Sequence, residues 1–237
     1  MDRITAAIEG GIAGAKAQRI AGGGGGATRA LARLGTAEIK IETSPVTRGV
    51  VHDPEQREVS EAVEEAFGYA KMNIVSFEDL FGGKLHAALD RQHPRDLYDV
   101  KLLYENEGFT DELFRTFLIY LASSPRPPHE LLNPNLIDLD QPYAREFEGM
   151  TKEAVDLTEL VSTRDRLIGD IQSRLDEGAK RFLRTLHDGD PDFDAIDRPQ
   201  AAELPAVRWK LINVNKLKAE NPKKHAAQGE ELEKLLG

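Results

Sequence analysis

Cysteine is absent from the 237 residues. Disulfides and thiolate zinc sites are therefore excluded, and the composition fits a reducing cytoplasm. Tryptophan occurs once and aromatic residues make up only 6%, so the core must be built mainly from aliphatic side chains. No apolar run approaches the roughly 20 residues that a membrane span needs, and no apolar signal segment follows Met1. Positive charge is in deficit: 31 Lys and Arg against 41 Asp and Glu give a net charge of −10. That argues against a nucleic-acid coat protein and gives no ground to expect DNA binding, yet it leaves room for a small cleft with a positive wall. The 40% apolar and 30% charged residues describe a globular chain, long enough for one large domain or two small ones.

Residues 1–20 suit a short alanine-rich helix, with Ile4, Ile8 and Ile12 at four-residue spacing and an interruption at Gly10 and Gly11. Gly22 to Gly26 lack the following Gly-Lys-Ser/Thr of a phosphate-binding loop and read as a flexible linker. Ala37 to Thr43 alternate, with Ile39 and Ile41 on one face, as a half-buried strand ended by Pro45. Residues 47–51 read as a second short strand and 72–76 as a third. Between them, Ser60 precedes a Val63/Phe67 helical stripe.

Ser76 to Tyr104 organise the chain. Ser76 is the expected N-cap of a helix, with Asp79 completing a variant capping box. Leu80, Leu85 and Leu89 mark its apolar stripe, while Gly82, Gly83, Ala87 and Ala88 keep its surroundings thin. Pro94 opens a second helix with Leu97, Val100, Leu103 and Tyr104 inward. Lys84 lies off the first stripe, and Asp96 and Asp99 share a face of the second, so a cation and two carboxylates can meet in one cleft. The same charges, with Arg95, also fit the solvated faces of two ordinary amphipathic helices.

Further on, Gly108 ends a helix and Thr110 caps the next, whose stripe is Leu113, Phe117, Tyr120 and Leu121. The proline-rich residues 124–143 read as irregular, and His129 as a surface or loop histidine. Thr151 to Leu186 carry one long amphipathic helix or two joined near Gly178. The aspartates of residues 187–197 lack the glycine and glutamate of a calcium loop. Residues 205–236 give two more helices, with Trp209 packed between helices. Arg208, Lys210, Lys216, Lys218, Lys223 and Lys224 form a basic cluster that fits either a solvated face or contact with RNA or an acidic partner.

The run GGKLHAALDRQHPRDLYD resembles the signature of the AbiEii/AbiGii toxin family, and the ending LPAVRWKLINVNKL…NPKKHAAQGEELEKLL is similar to that of its members. The resemblance implies a nucleotidyltransferase-like toxin of a bacterial toxin–antitoxin system acting in abortive phage infection. It implies transfer of nucleotides from NTP to an RNA such as tRNA, a Mg2+ cofactor and a cognate antitoxin. Carried over by residue, Lys84, Asp96 and Asp99 are the catalytic positions, Lys84 and Arg95 hold the nucleotide, and Glu42 in the IKIE strand is a metal ligand. As a strand residue, Glu42 fits a solvent-facing position equally. The family's early G-[GS]…D-x-D segment has no counterpart before residue 84; D-x-D occurs later, at Asp138/Asp140 and in the 187–194 turn. The motif match therefore starts near Ala37, and the 237 residues alone are expected to transfer little nucleotide. The alternative function is a non-catalytic, partner-binding scaffold.

The switch from two-residue to near-3.6-residue periodicity around Ser76 predicts an α+β fold, mostly α. Residues 1–36 are expected as a helix and linker, 37–109 as a partial nucleotidyltransferase-like core with a mixed sheet, and 110–237 as a helical C-terminal region.

Overall fold

Adjacent glycines at positions 10 and 11 end the first helix, α1 (Asp2–Gly11), and the chain turns at Gly14, where φ is +79°. In this computed structural model, which describes residues 1–20, 29–43 and 49–237, the helix does not continue to residue 20. Lys16–Ile20 is instead a strand, β1, antiparallel to β2 (Arg29–Leu34), which pairs in turn with β3 (Ala37–Glu42). Gly35, at φ +59°, opens the two-residue turn between β2 and β3, the position at which such hairpins require a left-handed residue. These strands are short and polar, and Ala30 is their one buried residue; Ile39 is 64% exposed. The pentaglycine run and Pro45 lie outside the described residues.

The fold divides into two compact units, residues 1–47 and 48–237. The second begins with β4 (Glu55–Glu58), α2 (Glu61–Phe67) and β5 (Lys71–Ile74), in which β4 and β5 pair antiparallel. All five strands are thus antiparallel, and no mixed sheet forms among the described residues. The Val63/Phe67 stripe is not buried: Phe67 is 86% exposed. Residues 49–51 are not a strand.

Helices account for the rest: α3 (Phe77–Asp90), α4 (Pro94–Asn106), α5 (Asp111–Ala122), α6 (Pro128–Leu132), α7 (Asp140–Glu146), α8 (Leu157–Ser173), α9 (Glu177–Asp188), α10 (Pro205–Glu220) and α11 (Pro222–Leu236). The fold is therefore α+β and mostly α, as the periodicity implies. The proline-rich stretch holds two short helices, α6 and α7, because Pro128 and Pro142 fall in first turns, where no N–H is needed. The break in the long periodic segment falls at Arg174–Asp176, and Gly178 sits in the first turn of α9. An Asp156/Glu159 capping box starts α8.

The core joins α3, α4, α5, α8 and α9 through Leu85, Leu97, Leu103, Phe117, Leu167 and Phe182, all essentially inaccessible. Leu80 departs from the expected stripe and is 45% exposed. Gly82 is what lets α3 and α5 approach: a Cβ there would lie 2.9 Å from a ring carbon of Tyr120 and 3.3 Å from the Thr116 methyl. At Gly83 the nearest atom would be 3.4 Å away, an ordinary contact. Gly82→Ala should therefore destabilise the protein by about 1–3 kcal/mol through overpacking. Gly83→Ala should be neutral or gain up to about 1 kcal/mol of helix propensity. Chemical denaturation of the two variants checks this, and equal stabilities would show that α3 and α5 pack less closely than described.

Candidate active site on the α3–α4 hairpin

Three elements fix the hairpin that carries Lys84. Ser76 Oγ accepts from the Asp79 amide at 3.0 Å and so caps α3. Asp79 does not complete the capping box in the expected way. Its carboxylate, 2% exposed, accepts from the Val51 amide (2.8 Å), the His52 amide (2.9 Å), the Tyr120 hydroxyl (3.0 Å) and the Ser76 hydroxyl (3.1 Å). It thereby fastens the incoming chain and α5 to the first turn of α3. Gln92, at φ +49° between α3 and α4, donates from Nε2 to the Asn135 carbonyl and accepts at Oε1 from the Ile137 amide and the buried Arg164 guanidinium. His93 Nδ1 accepts from the Arg95 amide and caps α4.

On this frame one ion pair joins the two helices and a second ties the connection between them to α4. Lys84 Nζ lies 2.5 Å from Asp99 Oδ2, with each side chain about one-third exposed, and Phe81 presents its ring 5.9 Å from the ammonium. Farther toward the turn, Arg91 donates to Asp96 Oδ1 at 2.6 Å. Asp96 Oδ2 is buried without a hydrogen-bond partner, an arrangement that costs stability and that folded proteins rarely keep without a use. Arg91, His93, Arg95 and Asp96 line a depression of about 370 Å³, and Arg95 makes only a loose contact, 3.8 Å, with Glu146. Arg91 is held by Asp96 and His93 contacts Glu146 at 3.2 Å, so Arg95 is the cation of this hollow left to receive an anion.

The structure brings Lys84 and Asp99 into direct contact and places Asp96 one turn away beside Arg95. Glu42 belongs to the other unit, on β3, where Arg29 (2.9 Å) and Lys40 (3.0 Å) flank its carboxylate. The Lys40 hydrogen bond, with Lys40 and Arg29 charge, holds Glu42 below the usual carboxylate range. A dication at Glu42 would have to displace two cations, and one at Asp99 would have to displace Lys84. Among the described residues no group of three or more His, Asp or Glu is disposed to hold a metal. These side chains as arranged do not fit a resident magnesium ion.

Sequence reasoning missed the Asp79 network, since a capping signature says nothing about a carboxylate turned toward a segment 28 residues earlier. It also missed that the basic cluster is divided. Arg208 pairs with Glu203 and Lys218 donates to the Asp188 carbonyl, whereas Lys210 is buried and donates to the Arg126 carbonyl. Trp209 is 49% exposed rather than packed away, and His129 is half-buried, with burial lowering its basicity. Among the described residues no helix is long and apolar enough to cross a membrane.

The family model described as nucleotidyl transferase AbiEii toxin, type IV TA system, matches residues 1–213. The match starts at residue 1, ahead of the Ala37 from which the motifs are legible. No curated protein and no solved structure gives a significant match.

Proposed function

Because the chain belongs to the AbiEii nucleotidyltransferase toxin family of type IV toxin–antitoxin systems, we propose that it moves a nucleotide from an NTP to an RNA such as tRNA. The α3–α4 hairpin is the site in this reading. The observation that carries it is the 2.5 Å Lys84–Asp99 pair, one turn of α4 from Asp96, which lines the Arg91/His93/Arg95 hollow. Asp99 holds the ammonium in place. When a triphosphate arrives, Lys84 exchanges the carboxylate for phosphate oxygens, and Arg95 takes up further phosphate charge. The acceptor hydroxyl oxygen then bonds to the α-phosphorus, the bond to the bridging oxygen breaks and pyrophosphate leaves. Asp96, which lines the hollow, is our assignment for the group that takes the hydroxyl proton. A cognate antitoxin is the expected protein partner.

A second reading, a partner-binding scaffold without catalysis, is favoured by the apolar side chains that β4, α2 and β5 leave exposed, Phe67, Tyr69 and Met72 among them. Incubation with labelled NTPs, magnesium and total tRNA separates the two. Label entering RNA, and entering about tenfold or more slowly with Asp99→Asn, which keeps shape and loses charge, would support transfer and set aside the low activity expected from the absent early D-x-D motif. Binding of labelled NTP without incorporation would favour the scaffold, and label entering protein instead of RNA would overturn the proposed acceptor.

A further inference from the structure

A second cavity, of about 360 Å³, lies between α9, α10, α11 and the proline-rich segment before α6. None of Lys84, Asp96 and Asp99 lines it. Pockets of this size take small organic ligands, and its composition restricts which. Lys210 is 5% exposed; its Nζ donates to the Arg126 carbonyl at 2.5 Å and, among the described residues, forms no ion pair. A buried ammonium with a single neutral acceptor is costly, and an anion arriving beside it offsets that cost. Burial pushes its pKa down to about 8, with Glu130, the one carboxylate lining the cavity, acting in the opposite sense. At neutral pH the ammonium is still mostly charged. Lys224, exposed on the first turn of α11, adds a second cation at the rim.

The cavity also offers flat rings. Trp209, the chain's one tryptophan, lines it and is half exposed. Opposite in sequence but adjacent in space, the His187 and His225 rings stack at 4.0 Å with 17° between their planes. His225 Nε2 bonds to the His187 carbonyl at 2.9 Å, and burial, reinforced by His225, lowers the basicity of His187. Rings beside two cations suit a planar heterocycle carrying an anionic group. Base-on-ring stacking is tolerant of base identity and supplies part of the affinity of such sites.

We infer that this cavity is a nucleotide-binding site apart from the α3–α4 hairpin: it takes a nucleoside monophosphate unit, phosphate on Lys210 and Lys224 and base on Trp209, supplied as free nucleotide or as the end of an RNA strand. The inference goes beyond the proposed reaction and does not depend on it.

Because Trp209 is the sole tryptophan, its emission reports on this cavity alone. The full chain would be titrated with AMP, CMP, GMP, UMP, inorganic phosphate, a short RNA and an acidic hexapeptide, with equilibrium dialysis in parallel. Saturable change is expected with a nucleotide or the RNA, weakened at least tenfold in Lys210→Met and in Lys224→Ala and retained in Lys84→Ala. Lys224 is exposed, so its variant keeps the test open if Lys210→Met does not fold. Response to monophosphates identifies free nucleotide as the source; response to RNA alone identifies a strand end. Binding of phosphate as tight as that of nucleotide would remove the ring from the inference. No binding by either method, a preference for the acidic peptide, or loss of binding in Lys84→Ala would overturn it.

Discussion

Lys84→Ala should lower nucleotide transfer to tRNA by about 10²–10³-fold while leaving the melting temperature nearly unchanged. The rate effect follows from what phosphoryl chemistry asks of a protein: fixed positive charge where negative charge gathers, which is typically worth that factor when one donor is removed. The stability effect follows from exposure. Lys84 and Asp99 are about one-third exposed, and ion pairs in contact with water contribute little. Without Lys84, Asp99 is rehydrated rather than stranded. Lys84→Arg keeps the charge but exchanges a compact ammonium for a planar fork that pairs more rigidly with Asp99, and should recover only part of the rate. Initial rates of label incorporation, read beside thermal melts, check both halves. Transfer at the wild-type rate in Lys84→Ala would remove the hairpin from the active site.

Asp79→Ala should do the reverse, costing stability before chemistry. Its carboxylate satisfies two backbone amides, at Val51 and His52, and the Tyr120 hydroxyl, in a place with 2% exposure. Truncation leaves the two backbone amides without this acceptor, at about 1–3 kcal/mol each before relaxation. A net loss of about 3–5 kcal/mol is expected, which lowers the melting temperature on the order of 10 °C in a chain of this size. Asp79→Asn retains one acceptor oxygen but turns an amide toward the remaining donors, so its loss should be intermediate. A shift under about 2 °C for Asp79→Ala would mean that water replaces the carboxylate and that the chain before α3 is fastened by other contacts.

The hairpin was legible because its signals are local. Ser76 and Thr110 announce caps, Pro94 a first turn and Gly108 a stop, and each depends on residues three or four positions away. The offsets of Lys84 and Asp99 likewise place them off the buried stripes, free to meet. What sequence could not supply was direction in space. Residues 16–20 look like the end of a helix until β2 offers them a partner. Trp209 reads as core because tryptophan is usually covered, and Lys210 reads as surface because lysine usually is. The packing of α10 against α9, α11 and the proline-rich segment exchanges those roles. Asp79 carries a local capping signal, yet its decisive partners lie 27 and 28 positions upstream.

The Lys84–Asp99 pair joins α3 to α4, and the Arg91–Asp96 pair ties to α4 the short connection between them, residues 91–93. Closing so short a loop costs little chain entropy, and contacts of low sequence separation assemble quickly. Lys84 and Asp99 thus meet across a turn that needs neither sheet to be in place. The pairing geometry can arise early as the polypeptide leaves the ribosome, before the later helices α8 to α11 have been made to enclose it.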